Sequence, residues 1–184
     1  MARTLSVSRQ MCKDYDQLKY HKGRCVKTMI NLNDLKVELI RDEGVRLSPY
    51  RCTAGKLTIG VGRNLDDNPL TKEEIAYVGH DARTKPISNG AAVYLLGNDI
   101  KKVIADLDKS IPWWSKLDDA RGRVLVNMCF NLGIKGLLTF KTTLGYIKAG
   151  KYDEAASAMM QSKWATQVKG RAVRLSLMMK NGTA

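Results

Sequence analysis

Strand character is confined to one place in this chain. Between Leu47 and Arg63, two short β-prone stretches flank Thr53-Ala-Gly-Lys56, where Gly55 can take positive φ in a hairpin loop. After Pro112 apolar residues recur only at helical spacing. The sequence therefore predicts a mainly helical α+β fold, with one hairpin or small sheet near its start.

The helices have readable ends. Asn33 is a plausible N-cap for a short helix through Leu35, Leu39 and Ile40, which Gly44 terminates just after Glu43. Thr71-Lys-Glu-Glu74 has the form of a capping box. Ser88 caps a long helix whose Ala92, Leu96, Ile100, Val103, Ile104 and Leu107 keep one face apolar until Pro112. Beyond it, Asp118 or Asp119 opens a helix leading to Gly133. A second runs through Leu144 and Ile147 to Gly150, a third from Ala155 to Trp164, and a last holds Ala172 to Met178. Met residues at helical spacing read as core. Trp113 and Trp114, after a helix-ending Pro, read as packing more than as ligand-stacking rings, and Trp164 as core of the helical lobe. The expected organisation is a basic N-terminal extension (residues 1–30), then one domain (31–184) whose lobes, about 31–87 and 112–184, are joined by a helix at 88–111.

With 184 residues and 44% hydrophobic residues the chain can bury a sizeable core, and its apolar runs are too short to span a bilayer. The first 30 residues lack the apolar run of a secretory signal, so the protein is expected to be made and kept in a cytosol. Met29 could serve as an alternative start. Cys12, Cys25, Cys52 and Cys129 form no CxxC pair, and Cys12, His21 and Cys25 do not fit zinc spacings, so free thiols and no metal or cofactor are expected. The net charge of +13 is uneven: +5 over residues 1–30, −1 over 31–120 and +9 over 121–184. A polyanionic partner is implied, whether nucleic acid, an anionic lipid surface or an acidic wall polymer.

The chemistry lies around the hairpin. Glu43 closes a helix, Cys52 lies on the first strand or its turn, and Thr58 on the second, with eight and five residues between them. The stretch Glu43-Gly-Val-Arg-Leu-Ser-Pro-Tyr-Arg-Cys-Thr-Ala-Gly-Lys-Leu-Thr-Ile-Gly-Val-Gly62 resembles the bacteriophage lysozymes, or muramidase endolysins, with their Glu-x8-Asp/Cys-x5-Thr pattern. Asn127-Met-Cys-Phe-Asn-Leu-Gly133, Phe140, Asp153-Glu-Ala-Ala156 and Ser162-Lys-Trp-Ala-Thr-Gln-Val-Lys-Gly-Arg171 look like the same family's C-terminal lobe, in the same order. The resemblance covers roughly residues 31–180.

It implies a lysozyme-like fold and hydrolysis of the β-1,4 bond between N-acetylmuramic acid and N-acetylglucosamine in peptidoglycan, leading to host lysis. Such a reaction needs a proton for the leaving oxygen and a nucleophile at the anomeric carbon. Glu43 is the candidate acid; burial would keep it protonated, whereas a cation, which the family supplies at the position of Arg171, would oppose this. Cys52 stands where Asp is commoner. It would have to be shifted toward thiolate, by Arg51 or other basic residues, or act by positioning; a thiolate could also attack the anomeric carbon. Thr58 would orient water. Arg63, where many members have His, either binds substrate or covers the hairpin. Phe130, Asn131 and Thr143 match positions lining the family's sugar-binding cleft, or else serve in packing and capping, and Gln167 either binds substrate or caps a helix.

Taken singly, these residues have plain structural roles: a solvated helix-end Glu, a small apolar Cys, a β-favouring Thr. Two other functions compete. A lytic transglycosylase needs only one Glu, and a basic nucleic-acid-binding module would rest on charge alone, with no recognisable motif, so no nucleic acid is expected. The implied partner is bacterial peptidoglycan, acted on by a monomer held in the host cytoplasm until a holin, by family analogy, gives access to the wall. Basic and apolar residues of the last helix could touch an anionic outer membrane.

Overall fold

A computed structural model describes residues 30–184. Cys12, His21, Cys25 and the start at Met29 lie outside the described residues. The described chain forms two compact units, Leu32–Asp99 and Ile100–Ala184, the latter joined by Ile30 and Asn31.

The first unit opens with α1 (Leu32–Glu43), which buries Leu35, Leu39 and Ile40. It begins ahead of the expected cap at Asn33, with Asp34 in the first turn, where a carboxylate complements unpaired N–H groups. Gly44 ends it at φ 74°, and its amide donates to Ile40 O at 3.0 Å. Three antiparallel strands follow in the order β1 (Arg46–Arg51), β2 (Leu57–Gly60), β3 (Arg63–Asn64). Tyr50 pairs with Thr58, Thr58 with Asn64, and Ile59 with Arg63. The β1–β2 register slips between Arg46 and Tyr50, where Pro49 has no N–H to give; an edge strand tolerates this. Gly55 sits in the connecting turn at φ 75°.

Helix α2 (Lys72–Val78) starts with the predicted capping box, Thr71 and Glu74 each accepting the other's amide. Helix α3 (Asn89–Ser110) is capped by Ser88 Oγ, which accepts the Ala91 amide at 3.1 Å. Its residues to Asp99 belong to the first unit and those from Ile100 to the second. Ile59, Leu65, Ala82, Ile87, Ala91, Ala92 and Leu95 form a core under the sheet. Each fully buried Ile or Leu there contributes about 1.5–3 kcal/mol.

The second unit is helical throughout. A 3₁₀ segment (Pro112–Lys116) buries Trp114, whose indole N–H donates to Asp108 at 2.8 Å, so this ring packs. Helix α4 (Asp119–Leu137) has Asp118 as its N-cap and kinks at Gly133, the predicted end, where φ is 69°. Helices α5 (Lys141–Lys148) and α6 (Tyr152–Met160) follow. The sequence predicts one helix from Ala155 to Trp164; instead Ser162 stops it and caps a new one, α7 (Lys163–Val168), accepting the Ala165 amide at 3.2 Å. Helix α8 (Gly170–Asn181) completes the unit. Met128, Met159, Met178 and Met179 are buried as expected, while Met160 is exposed.

Candidate active site

Glu43 is the last residue of α1, half-buried, and Gly62 lies against its side chain. A Cβ added to Gly62 would sit 3.5 Å from Glu43 Oε2, and its φ of 72° is itself strained for any larger residue. Gly62 thus lets the β2–β3 turn and the Glu43 carboxyl share this space.

Cys52 follows β1 in a closed turn. Its amide donates to Lys56 O at 2.9 Å, and the Gly55 amide donates to Cys52 O at 2.8 Å. The sulfur is partly exposed and unpaired with another cysteine. Donors on the turn hold this thiol below its ordinary value: first the Ala54 amide, then, against a smaller desolvation effect, the Lys56 amide and the Thr58 hydroxyl. The sequence pointed to Arg51 for this shift, but the Arg51 guanidinium turns to Gly55 O at 2.7 Å. Backbone dipoles replace the expected side-chain cation. Cys129, in the second unit, shows the opposite case: burial first, then Asp106, pushes it up to about 12.

Thr58 is buried on β2, and its hydroxyl donates to Lys56 O at 3.1 Å. A hydroxyl has one proton, so Thr58 serves either that carbonyl or the thiolate, and rotation about one bond switches between them. Glu43, Cys52 and Thr58 all belong to the first unit.

Arg63 is only 3% exposed, and its guanidinium is turned inward. It donates to both Glu74 oxygens (2.8 and 3.1 Å) and to Asp99 Oδ2 (2.7 Å). Of the two expectations for this residue, the one in which it covers and ties down the hairpin describes these contacts. Asn98 and the Thr71 amide also donate to Glu74, and Asn68 donates to Asp99. The Arg63 pair, acting with these bonds against burial, holds the Glu74 carboxyl down at about 2. Sequence reasoning missed this network.

The remaining candidates lie in the second unit. A groove of about 560 Å³ is lined by Phe140, Thr143, Gln161, Lys163, Trp164 and Gln167, among others. Thr143 and Gln167 therefore face one concavity. Asn131 holds the groove wall indirectly, accepting the Trp164 indole N–H at 2.9 Å, while Phe140 meets that ring edge-on with centroids 6.1 Å apart. Phe130 and Arg171 do not line the groove. Arg171 is buried, and its Nε donates to Asn127 Oδ1 at 2.8 Å.

A half-buried carboxyl, a thiol held below its ordinary value in the turn after β1 and a buried hydroxyl thus belong to one unit. The phage lysozyme family model matches residues 41–180, and the chain belongs to that family of lysozyme enzymes. It is 31% identical to the probable T4-type lysozyme 2 of Dictyostelium discoideum over 83% of this chain and 96% of that protein. Lysozyme 1 of the same organism is 30% identical over the same shares. The chain is also 31% identical, over 85% of its length, to the pre-baseplate central spike protein Gp5 of Enterobacteria phage T4, of which it spans only 29%.

Proposed function

We propose that this protein is an endolysin that hydrolyses the β-1,4 bond between N-acetylmuramic acid and N-acetylglucosamine in bacterial peptidoglycan. The observation that carries the reading is the sharing of one sheet-bearing unit by Glu43, Cys52 and Thr58, with Cys52 in a closed turn that holds its thiol below the ordinary value. Glu43 gives its proton to the leaving glycosidic oxygen as the C–O bond breaks. Positive charge then grows on the anomeric carbon, and the anionic form of Cys52 opposes it electrostatically. Thr58 orients the water that completes hydrolysis, and that water's proton returns to a base of the site. Thr143 and Gln167 line the groove of the second unit that contacts substrate, whereas Arg63 acts through the fold.

A second reading, a lytic transglycosylase, is favoured by one observation: Cys52 is not a carboxylate. There the sugar's own hydroxyl replaces water, and an anhydro product results. Mass spectrometry of digested peptidoglycan separates the two. Reducing-end products are expected, and anhydromuramyl ends would overturn hydrolysis. Cys52→Asp is expected to keep activity and Cys52→Ala to lower it about 10²–10³-fold, the scale of losing one charge-stabilising group; a fully active Cys52→Ala would make the thiol a bystander.

No single described helix is long and apolar enough to cross a membrane. The proposed enzyme waits in the host cytoplasm as a monomer and reaches the wall through a holin. Its +9 segment favours anionic surfaces. On α8, exposed Val173 and Leu177 lie between Lys169 and Lys180, a pattern that suits an anionic outer membrane. Salt-sensitive dye leakage from anionic vesicles is expected, and loss of leakage in Val173→Ser/Leu177→Ser; vesicles that stay sealed to the intact protein would refute this contact.

A further inference from the structure

The loop after β3 grips the Cys52 turn from outside. Asn64 Oδ1 accepts the amides of Asp66 (2.9 Å) and Asp67 (3.1 Å), which orients both carboxylates. Asp66 Oδ2 accepts the Leu57 amide at 2.9 Å, and Asp67 Oδ1 meets Lys56 Nζ at 3.1 Å. Arg83 braces the loop in turn, donating to Asp66 Oδ1 (2.6 Å) and Leu65 O (2.9 Å). The two residues that close the turn, Lys56 and Leu57, are thus held by two adjacent acids.

Inside the turn, the Lys56 carbonyl receives both the Cys52 amide and the Thr58 hydroxyl. The Ala54 and Lys56 amides, which hold the Cys52 thiol below its ordinary value, belong to this same turn. We propose that Asp66 is a positioning residue for Cys52: by holding the Leu57 amide it keeps closed the turn in which the Cys52 amide meets Lys56 O and the Gly55 amide meets Cys52 O. Its importance for wall hydrolysis rests on the function proposed above; its effect on the thiol does not.

Charge and position make opposite predictions. The charged groups around the turn are Arg51, Lys56, Asp66, Asp67 and Arg83. By charge alone, removing either acid favours the thiolate. By position, removing Asp66 withdraws donors from the sulfur and disfavours it. Asp67 touches the turn only through the flexible Lys56 side chain, so Asp67→Asn serves as the charge control.

The test is the pH dependence of Cys52 alkylation by iodoacetamide in the full chain, read by mass spectrometry of the peptide that carries Cys52. Asp66→Ala is expected to move the midpoint up and to slow alkylation near pH 7 by up to about tenfold, as a one-unit rise does. Asp67→Asn is expected to leave it unmoved or move it down. Asp66→Asn keeps an acceptor for the Leu57 amide and is expected to hold the wild-type midpoint; a fall there would show charge at work. If Asp66→Ala alkylates as fast as wild type or faster, the positioning role is wrong. An unmoved profile together with an inactive Cys52→Ala would remove that role and leave the proposed function standing. A raised midpoint together with a fully active Cys52→Ala would do the reverse.

Discussion

Glu43→Gln is expected to lower peptidoglycan hydrolysis by about 10²–10⁴-fold, the range in which a positioned general acid contributes. Gln fills the same space beside Gly62 but has no acidic proton for the leaving oxygen. Glu43 is the final residue of α1, where the helix dipole disfavours an anion, so relief of about 0.3–1 kcal/mol is expected to offset part of the stability lost with the carboxylate's contacts. A residue badly placed for helix stability but well placed beside the sheet fits the usual opposition between stability and function. Rates on purified walls, set beside a thermal melt, check both halves. Activity within a few-fold of wild type would remove Glu43 from the mechanism.

The chemistry at Cys52 also has a physical reason. A thiol with an ordinary pKa is mostly neutral at pH 7 and makes a poor substitute for a carboxylate. Backbone donors on the turn lower the thiol toward its anionic form, and in the proposed mechanism they do so without a cation that would repel the charge growing on the sugar. Lys56 is the nearest ammonium along the turn, and Asp67 occupies it. In the proposed mechanism this arrangement would favour an anion at the sulfur while keeping free positive charge away from the anomeric carbon.

What the sequence disclosed follows from the range of the forces involved. Caps and turns are local, so Gly44, Gly55, Thr71 with Glu74, Ser88 and Asp118 act where their neighbours in sequence place them. The break at Ser162 was equally local and readable, since a Ser followed by Lys-Trp-Ala can start a helix as well as interrupt one. The buried charges were harder to see because their partners are distant in sequence. Asp99 stands in the apolar stripe of α3, three residues after Leu96, and an acid in such a stripe implies a cation to meet it. Nothing in the spacing names Arg63, 36 residues away, as that cation. The leading donors on Cys52 are not legible in the sequence because they are main-chain amides, whose direction depends on the turn's shape and not on residue type.

Arg63→Ala is expected to cost about 3–5 kcal/mol, the usual penalty for removing one partner from a buried ion pair. For a chain of this size that is a fall in melting temperature of roughly 6–20 °C. The cost arises less from lost attraction than from what is left behind, the carboxylates of Glu74 and Asp99 with 2% and 11% side-chain exposure and no cation between them. Acid titration gives a sharper test, because its sign reverses. In the wild type, Glu74 is held at about 2 against an ordinary 4.5, so its stabilisation is present above pH 4.5 and lost as pH falls toward 2. Without Arg63 the buried carboxylates favour their protonated forms, and the variant is expected to gain stability relative to wild type as pH drops from 7 to 4. Melting curves across that range measure it directly. A variant whose deficit stays constant with pH would show that Arg63 stabilises the unit by packing its apolar stem, and that the ion pairs themselves contribute little.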